Sequence, residues 1–152
     1  MTGRGVLLVS SSGGVLLETI ALGPWWRGQA RRWVAVHAPD TAELLDGERV
    51  RWASELGLSR PLALAAAVGR AVRDLRADPV DLLVSAGTGV AVPYFLAARM
   101  LGVPALWIET FNVIGRPGLA SRICGRLATT VLVQHPHLLE RHRRAVYVGE
   151  LY

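Results

Sequence analysis

Lysine is missing from this 152-residue chain: all 17 basic side chains are arginine, against 12 acids, for a net charge of +5. That absence removes the lysine of a P-loop, and GxGxxG spacing is missing too, so no nucleotide cofactor is expected on sequence grounds. A single cysteine, Cys124, excludes an internal disulfide and suits a reducing compartment, where it would serve as a core thiol. No apolar run reaches the roughly 18 residues of a membrane span. The longest uncharged stretch, Leu82 to Ala98, is interrupted by Gly87, Gly89 and Pro93. Met1 leads almost directly into an apolar strand without the parts of a signal peptide, so export is not expected. His135, His137 and His142 have no cysteine or carboxylate at a ligand spacing, so no metal is expected. The arginines are scattered, without recognition-helix, RNP or zinc-finger signatures, which argues against nucleic acid as a partner.

What is present points to a folded globule. Hydrophobic residues make up 51% and charged residues 19% of the chain, and its length suits a single domain over 1–152. Apolar strand-like runs near 5–10, 33–37, 49–53, 80–85, 105–109, 130–134 and 145–148 alternate with helix-period segments near 15–22, 61–76, 90–101, 118–128 and 136–143. Such alternation specifies an α/β fold, a doubly wound, mostly parallel Rossmann-like sheet with helices on both faces. In the helix over 61–76, Leu64, Val68, Ala71 or Val72 and Leu75 form an apolar stripe, while Arg70, Arg73, Asp74 and Arg76 are expected on the wet side. Asp78-Pro79 and Gly102-Val103-Pro104 each stop a helix and turn the chain into a strand. The last strand has no helix after it to finish the layer, which suggests that a further half is needed.

Three strands break from apolar into small or polar residues at their carboxyl ends: Val6 to Val9 before Ser10-Ser11-Ser12-Gly13-Gly14, Val80 to Val84 before Ser85-Ala86-Gly87-Thr88-Gly89, and Ala105 to Ile108 before Glu109-Thr110. Ligands of open parallel sheets bind outside the carboxyl ends of the strands, so all three breaks point to one rim. The first turn offers hydroxyls and backbone N–H groups at a helix start, a favourable place for an anion, or it is a tight turn with no ligand. Gly87, Thr88 and Gly89 form either an opposing wall of the same cleft or an ordinary strand-to-helix turn. Glu109 suits a general base or a hydroxyl-binding group; the alternative is an ion pair to Arg116 or Arg122 that fixes the next loop. Pro24-Trp25-Trp26-Arg27 with Arg31-Arg32-Trp33 combines aromatics and cations as a peripheral membrane contact would, or as a packed helix end would. His37, at the end of a strand, either faces the cleft or is an ordinary hydrogen-bonded residue.

In order along the chain, Leu8-Val9-Ser10-Ser11-Ser12-Gly13-Gly14, Ser85 to Pro93, Ile108-Glu109-Thr110, Val133-Gln134-His135-Pro136 and Ala145 to Gly149 resemble the blocks of the asparagine-linked glycosylation protein fourteen family and its bacterial PssD-type relatives. The resemblance implies the N-terminal, acceptor-side half of a GT-B glycosyltransferase similar to MurG. In that family the subunit recruits a donor-binding glycosyltransferase subunit to the cytoplasmic face of the cell membrane. The pair then transfers a sugar from a UDP-sugar to a polyprenyl-diphosphate-linked acceptor, in oligosaccharide or exopolysaccharide synthesis. Carried onto this sequence, Ser11, Ser12, Gly13, Gly14, Gly87, Thr88, Gly89, Thr110 and Arg116 would contact the acceptor or its phosphates, and Glu109 would bind or deprotonate its hydroxyl. The chain departs from the family in having Val15 where histidine is usual after the paired glycines, which removes a general base. Thr110 replaces serine, Asn112 or Val113 stands near a usual arginine, whose phosphate-binding role would pass to Arg116 or Arg122, and His135 replaces tryptophan. Two other readings stay open: a self-sufficient nucleotide-binding Rossmann-like enzyme, and a non-catalytic scaffold that anchors a partner.

Overall fold

The computed structural model describes residues 3–113 and 115–151; Met1, Thr2, Ile114 and Tyr152 lie outside the described residues. The elements run β1 (Val6–Ser10), α1 (Gly14–Ala21), α2 (Gly23–Trp26), β2 (Arg31–Val36), α3 (Pro39–Leu44), β3 (Val50–Ala53), α4 (Pro61–Ala77), β4 (Leu82–Ser85), α5 (Ala91–Leu101), β5 (Ala105–Ile108), α6 (Leu119–Leu127), β6 (Thr130–Val133), a 3₁₀ helix (Pro136–Arg141) and β7 (Ala145–Tyr147). The expected alternation is there, with helices on both faces of one sheet. Two short helices, α2 and α3, fall where the sequence carries too few residues for a helical period, and the segment expected as a helix over 136–143 is a 3₁₀ helix that opens on Pro136. A six-residue segment cannot complete two α turns, and its first N–H is missing because Pro136 has none.

All seven strands are parallel, in the order β3-β2-β1-β4-β5-β6-β7. The chain winds outward from β1 through β2 to β3, then returns to the other side of β1 with β4. The switch point therefore lies between β1 and β4, where the connections leave in opposite directions and open a crevice at the carboxyl edge. Register keeps that edge level: Ser10 pairs with Ala35, Val9 with Ser85, Ser85 with Trp107 and Ile108 with Leu132.

Strand alternation divides the core in two. On one face Leu7, Val9, Val34, Leu83, Trp107, Val131 and Val133 pack under α4, α5 and α6, with Phe95 of α5 meeting Trp107 edge to face at 5.5 Å. On the other face Val6, Leu8, Trp33, Ala35 and Val84 take Leu16 of α1 and Trp26 of α2. Of the two readings of the Trp25-Trp26 segment, Trp26 follows the packed helix end. Trp26 is buried, donates its indole N–H to the Thr19 carbonyl at 2.8 Å and meets Trp33 edge to face at 5.4 Å, which leaves Trp25 alone exposed. No described helix is long and apolar enough to cross a membrane.

Asp74 also departs from the sequence expectation. It lies on the buried side of α4, one turn after Ala71, and its carboxylate accepts from Arg32 Nη1 at 3.0 Å and from the Tyr94 hydroxyl at 3.0 Å, while pairing with Arg51 at 3.0 Å. Asp78 adds contacts to Arg32 at 3.2 Å and to Arg49 at 2.9 Å. Burial, and then the Asp74 charge, push the Tyr94 hydroxyl well above its ordinary range, so it is a hydrogen-bond donor at any physiological pH. Arg32 sits at the start of β2 and Asp74 near the end of α4, so this network clamps the amino edge of the sheet, opposite the switch point.

Candidate functional site

At the end of β1 the chain must leave the sheet sharply to start α1 over the strand edge. Gly13 makes that turn with φ +74°, a left-handed conformation that an L side chain adopts only under strain. Ser10 and Ser11 turn their hydroxyls back onto the carbonyls of Ser11 and Ser12, at 3.0 Å and 3.2 Å. Ser12 is half-buried, and Gly13 and Gly14 are exposed, so Ser12 Oγ and the first N–H groups of α1 are what this turn offers a ligand.

The second turn is tied to the first. Ser85 Oγ donates to the Val9 carbonyl at 2.7 Å and accepts from the Gly87 N–H at 3.2 Å, which binds the end of β4 to the end of β1. A Cβ at Gly87 would meet the Val15 side chain at 3.5 Å, so the two glycine turns face each other across the switch point. Thr88, between Gly87 and Gly89 in the second turn, has φ +84° and is the one non-glycine in the left-handed region among the described residues. Strain of this kind costs about 1–3 kcal/mol and persists where the surroundings fix a side chain for use. Thr88→Gly should therefore raise stability by about 0.5–1 kcal/mol in urea denaturation, once glycine's larger entropy loss is subtracted. Gly89 behaves differently from its neighbours. A Cβ there would lie 2.7 Å from the Leu56 carbonyl, so the loop before α4 occupies the space that the sequence reading reserved for a ligand.

Glu109 follows β5 directly and is only 1% exposed. One carboxylate oxygen accepts from both the Trp107 indole and the Ser121 hydroxyl; the other lies 3.7 Å from His142 Nε2, and neither of these last two atoms has a hydrogen-bond partner. Burial alone would push the carboxyl up, but His142, Ser121 and Trp107 together outweigh it and hold the group below its ordinary 4.5. The expected base at the rim is thus a buried, ionised group that ties β5 to α6 and to the segment before β7. The alternative ion pair with Arg116 or Arg122 does not form, because α6 presents Ser121 inward and Arg122 to solvent. Gly125 is required one turn on: a Cβ there would clash with the His142 ring. Cys124, beside it, is fully buried, and burial followed by the Glu109 charge pushes its thiol up.

Gln134 links the loops around this group, donating to the Glu109 carbonyl at 3.0 Å and accepting from the Leu151 N–H at 3.2 Å. His135 Nε2 lies 2.8 Å from the Phe111 carbonyl and its ring meets both Phe111 and His137, whereas His142 is buried elsewhere. The described residues contain no group of three metal-ligating side chains. His37 is exposed and packs edge-on to Trp52 at 5.0 Å. Thr110 is half-buried just after β5, and Arg116 is exposed on the following loop, in a concavity with Pro117, Arg122, Glu140 and Arg141 rather than against the glycine turns. The structure therefore sets the start of α1, at Val15 after Gly13 and Gly14, against Gly87 of the second turn, buries Ser11 and Glu109, and lines a separate concavity with Arg116. Ser121, His142 and Asp74 carry no sequence motif; only the packing of α4 and α6 reveals them.

No family model matches the chain. Over 123 residues it is 35% identical to UDP-N-acetylglucosamine--N-acetylmuramyl-(pentapeptide) pyrophosphoryl-undecaprenol N-acetylglucosamine transferase of Thermobifida fusca, a match that covers 81% of this chain and 31% of that protein. The chain thus spans about a third of the length of that relative. Among solved structures, MurG of Acinetobacter baumannii superposes with a TM-score of 0.76 at 23% identity, over 95% of this chain and 44% of MurG. UDP-N-acetylglucosamine 2-epimerase from Rickettsia bellii superposes with a TM-score of 0.71 at 11% identity, over 96% of this chain and 44% of the epimerase, so the fold by itself does not select transfer over epimerisation. The chain's curated relatives are thus MurG-type N-acetylglucosamine transferases, and its parallel sheet with helices on both faces matches the N-terminal Rossmann-like domain of the GT-B fold.

Proposed function

We propose that this chain is the acceptor-side half of a UDP-sugar-dependent glycosyltransferase acting on a polyprenyl-diphosphate-linked saccharide, working with a donor-binding half on a partner chain at the cytoplasmic face of the membrane. The observation that carries the reading is the pairing of the Ser12-Gly13-Gly14 and Gly87-Thr88 turns across the switch point, in a chain whose sequence relatives are lipid-linked sugar transferases. In this reading Ser12 Oγ, the free N–H groups of α1 and the Thr88 hydroxyl hold the acceptor's sugar or diphosphate, and Thr110 borders the same rim. The described residues form one wall of a cleft, and the donor half supplies the other wall and the leaving-group stabilisation. Orientation of the acceptor is then this chain's main contribution to the rate.

The burial of Glu109 supports a positioning role, in which it holds Thr110 and α6 in place without touching the acceptor. The absence of an ionisable group at Val15 adds to this, and together the two observations favour a second reading, in which the chain is a scaffold that supplies no chemistry at all. Reconstitution with a donor-binding partner, a UDP-sugar and a polyprenyl-diphosphate acceptor separates them. Thr88→Gly and Ser12→Ala should raise the acceptor KM with the donor KM unchanged. Equal acceptor KM values in wild type and both variants would leave the scaffold reading standing. Turnover of donor and acceptor by the isolated chain would refute both.

A further inference from the structure

The charges of this protein are unevenly placed. Every carboxylate–arginine ion pair among the described residues uses Arg31 or Arg32 on β2, Arg51 on β3 or Arg49 just before it. At the opposite side of the sheet a concave surface between α6 and the segment joining the 3₁₀ helix to β7 is lined by Arg122, Arg126, Arg141, Arg143 and Arg144. None of these five pairs with a carboxylate among the described residues; Arg144 alone has a protein acceptor, the Ala128 carbonyl at 3.1 Å. Like charges gathered this closely repel one another unless an anion sits between them.

The floor of the groove is also specific. Gly125 leaves room for the His142 ring, whose side chain is 3% exposed, and the far nitrogen of that ring faces Glu109 without a hydrogen bond to it. His142 lines the same surface as the arginines and leads from it to the buried carboxylate. A guanidinium fork suits phosphate oxygens, and five such side chains line this one surface, which is more cationic charge than a lone carboxylate would need.

We infer that this arginine groove is a second binding site, separate from the glycine-turn crevice, for a phosphate-bearing group. The site lies between α6 and the segment before β7, lined by none of the glycine-turn residues, so its occupancy does not depend on the glycosyltransferase reading. A free diphosphate and the headgroup of an anionic lipid present the same chemistry to it.

The test uses the whole chain and two charge-matched double variants, Arg126→Gln/Arg143→Gln in the groove and Arg70→Gln/Arg73→Gln on the exposed side of α4. Calorimetric titration with inorganic pyrophosphate is one arm. Co-sedimentation with phosphatidylcholine vesicles with and without phosphatidylglycerol is the other. The groove variant should bind at least about tenfold more weakly in one arm or both, with the α4 variant within about twofold of wild type. Loss confined to pyrophosphate identifies a free phosphate as the ligand, and loss confined to phosphatidylglycerol identifies a lipid headgroup. Amide shifts of Gly125 and His142 should move on titration of the wild type. Equal losses in both variants, no binding by the wild type in either arm, or shifts that spare Gly125 and His142 would overturn the inference.

Discussion

Glu109→Ala should lower the unfolding free energy by about 3–5 kcal/mol, the usual consequence of removing one partner from a buried charged cluster. The loss has an identifiable origin. Alanine leaves the Trp107 indole N–H and the Ser121 hydroxyl facing a cavity, each unmet buried donor costing about 1–3 kcal/mol, and removes the carboxylate that stands 3.7 Å from His142 Nε2. Glu109→Gln keeps an acceptor for Trp107 and Ser121, so it should cost less than half as much in the same urea titration. Acid separates the two effects further. A carboxyl held below its unfolded value contributes stability that is fully present above about pH 4.5 and is lost as pH falls through the lower folded value. Wild type should therefore lose stability on acidification more steeply than Glu109→Gln, and equal slopes would show that the carboxylate is not the ionised anchor described here. With a donor-binding partner present, Glu109→Gln should change KM more than kcat and keep the acid limb of the pH profile. A general base contributes about 10²–10⁴-fold, so a kcat loss of that size together with disappearance of the acid limb would restore a chemical role.

Asp74→Ala should cost about 3–5 kcal/mol as well, for a different reason. Here the side chain left behind is a cation: Arg32 is buried and would keep only Asp78, while Tyr94 would lose the acceptor of its hydroxyl. Tyr94→Phe removes one donor and leaves the ion pairs, so about 1 kcal/mol is expected. Because the network lies at the amino edge, neither change should alter acceptor KM in enzyme that remains folded. A rise in acceptor KM comparable to that of Thr88→Gly would show that the two edges of the sheet are coupled.

The places where the sequence and the structure part follow from what periodicity can encode. The strands were legible because parallel strands buried on both faces read as apolar runs, such as Leu7-Leu8-Val9 and Leu83-Val84. The crevice was legible for a related reason: the runs end on serine and glycine where the chain must turn. Asp74 was misplaced because a charged residue in a helical repeat counts as a wet-side residue unless its partner is known, and that partner, Arg32, lies 42 residues away. Trp26 was left between two readings because an aromatic beside arginine looks alike in a membrane patch and in a cation–π contact, here with Arg31 at 4.9 Å.

By itself, then, the chain's sequence determined the layer architecture, the carboxyl-edge location of the glycine turns and the absence of lysine chemistry, since each depends on residues near one another in the chain. Tertiary structure alone decided that Gly87 faces Val15, that Glu109 is sealed beneath α6 by Ser121 and His142, and that five arginines share one groove. Those outcomes depend on which helix face meets which strand, and that is fixed by packing across the whole sheet.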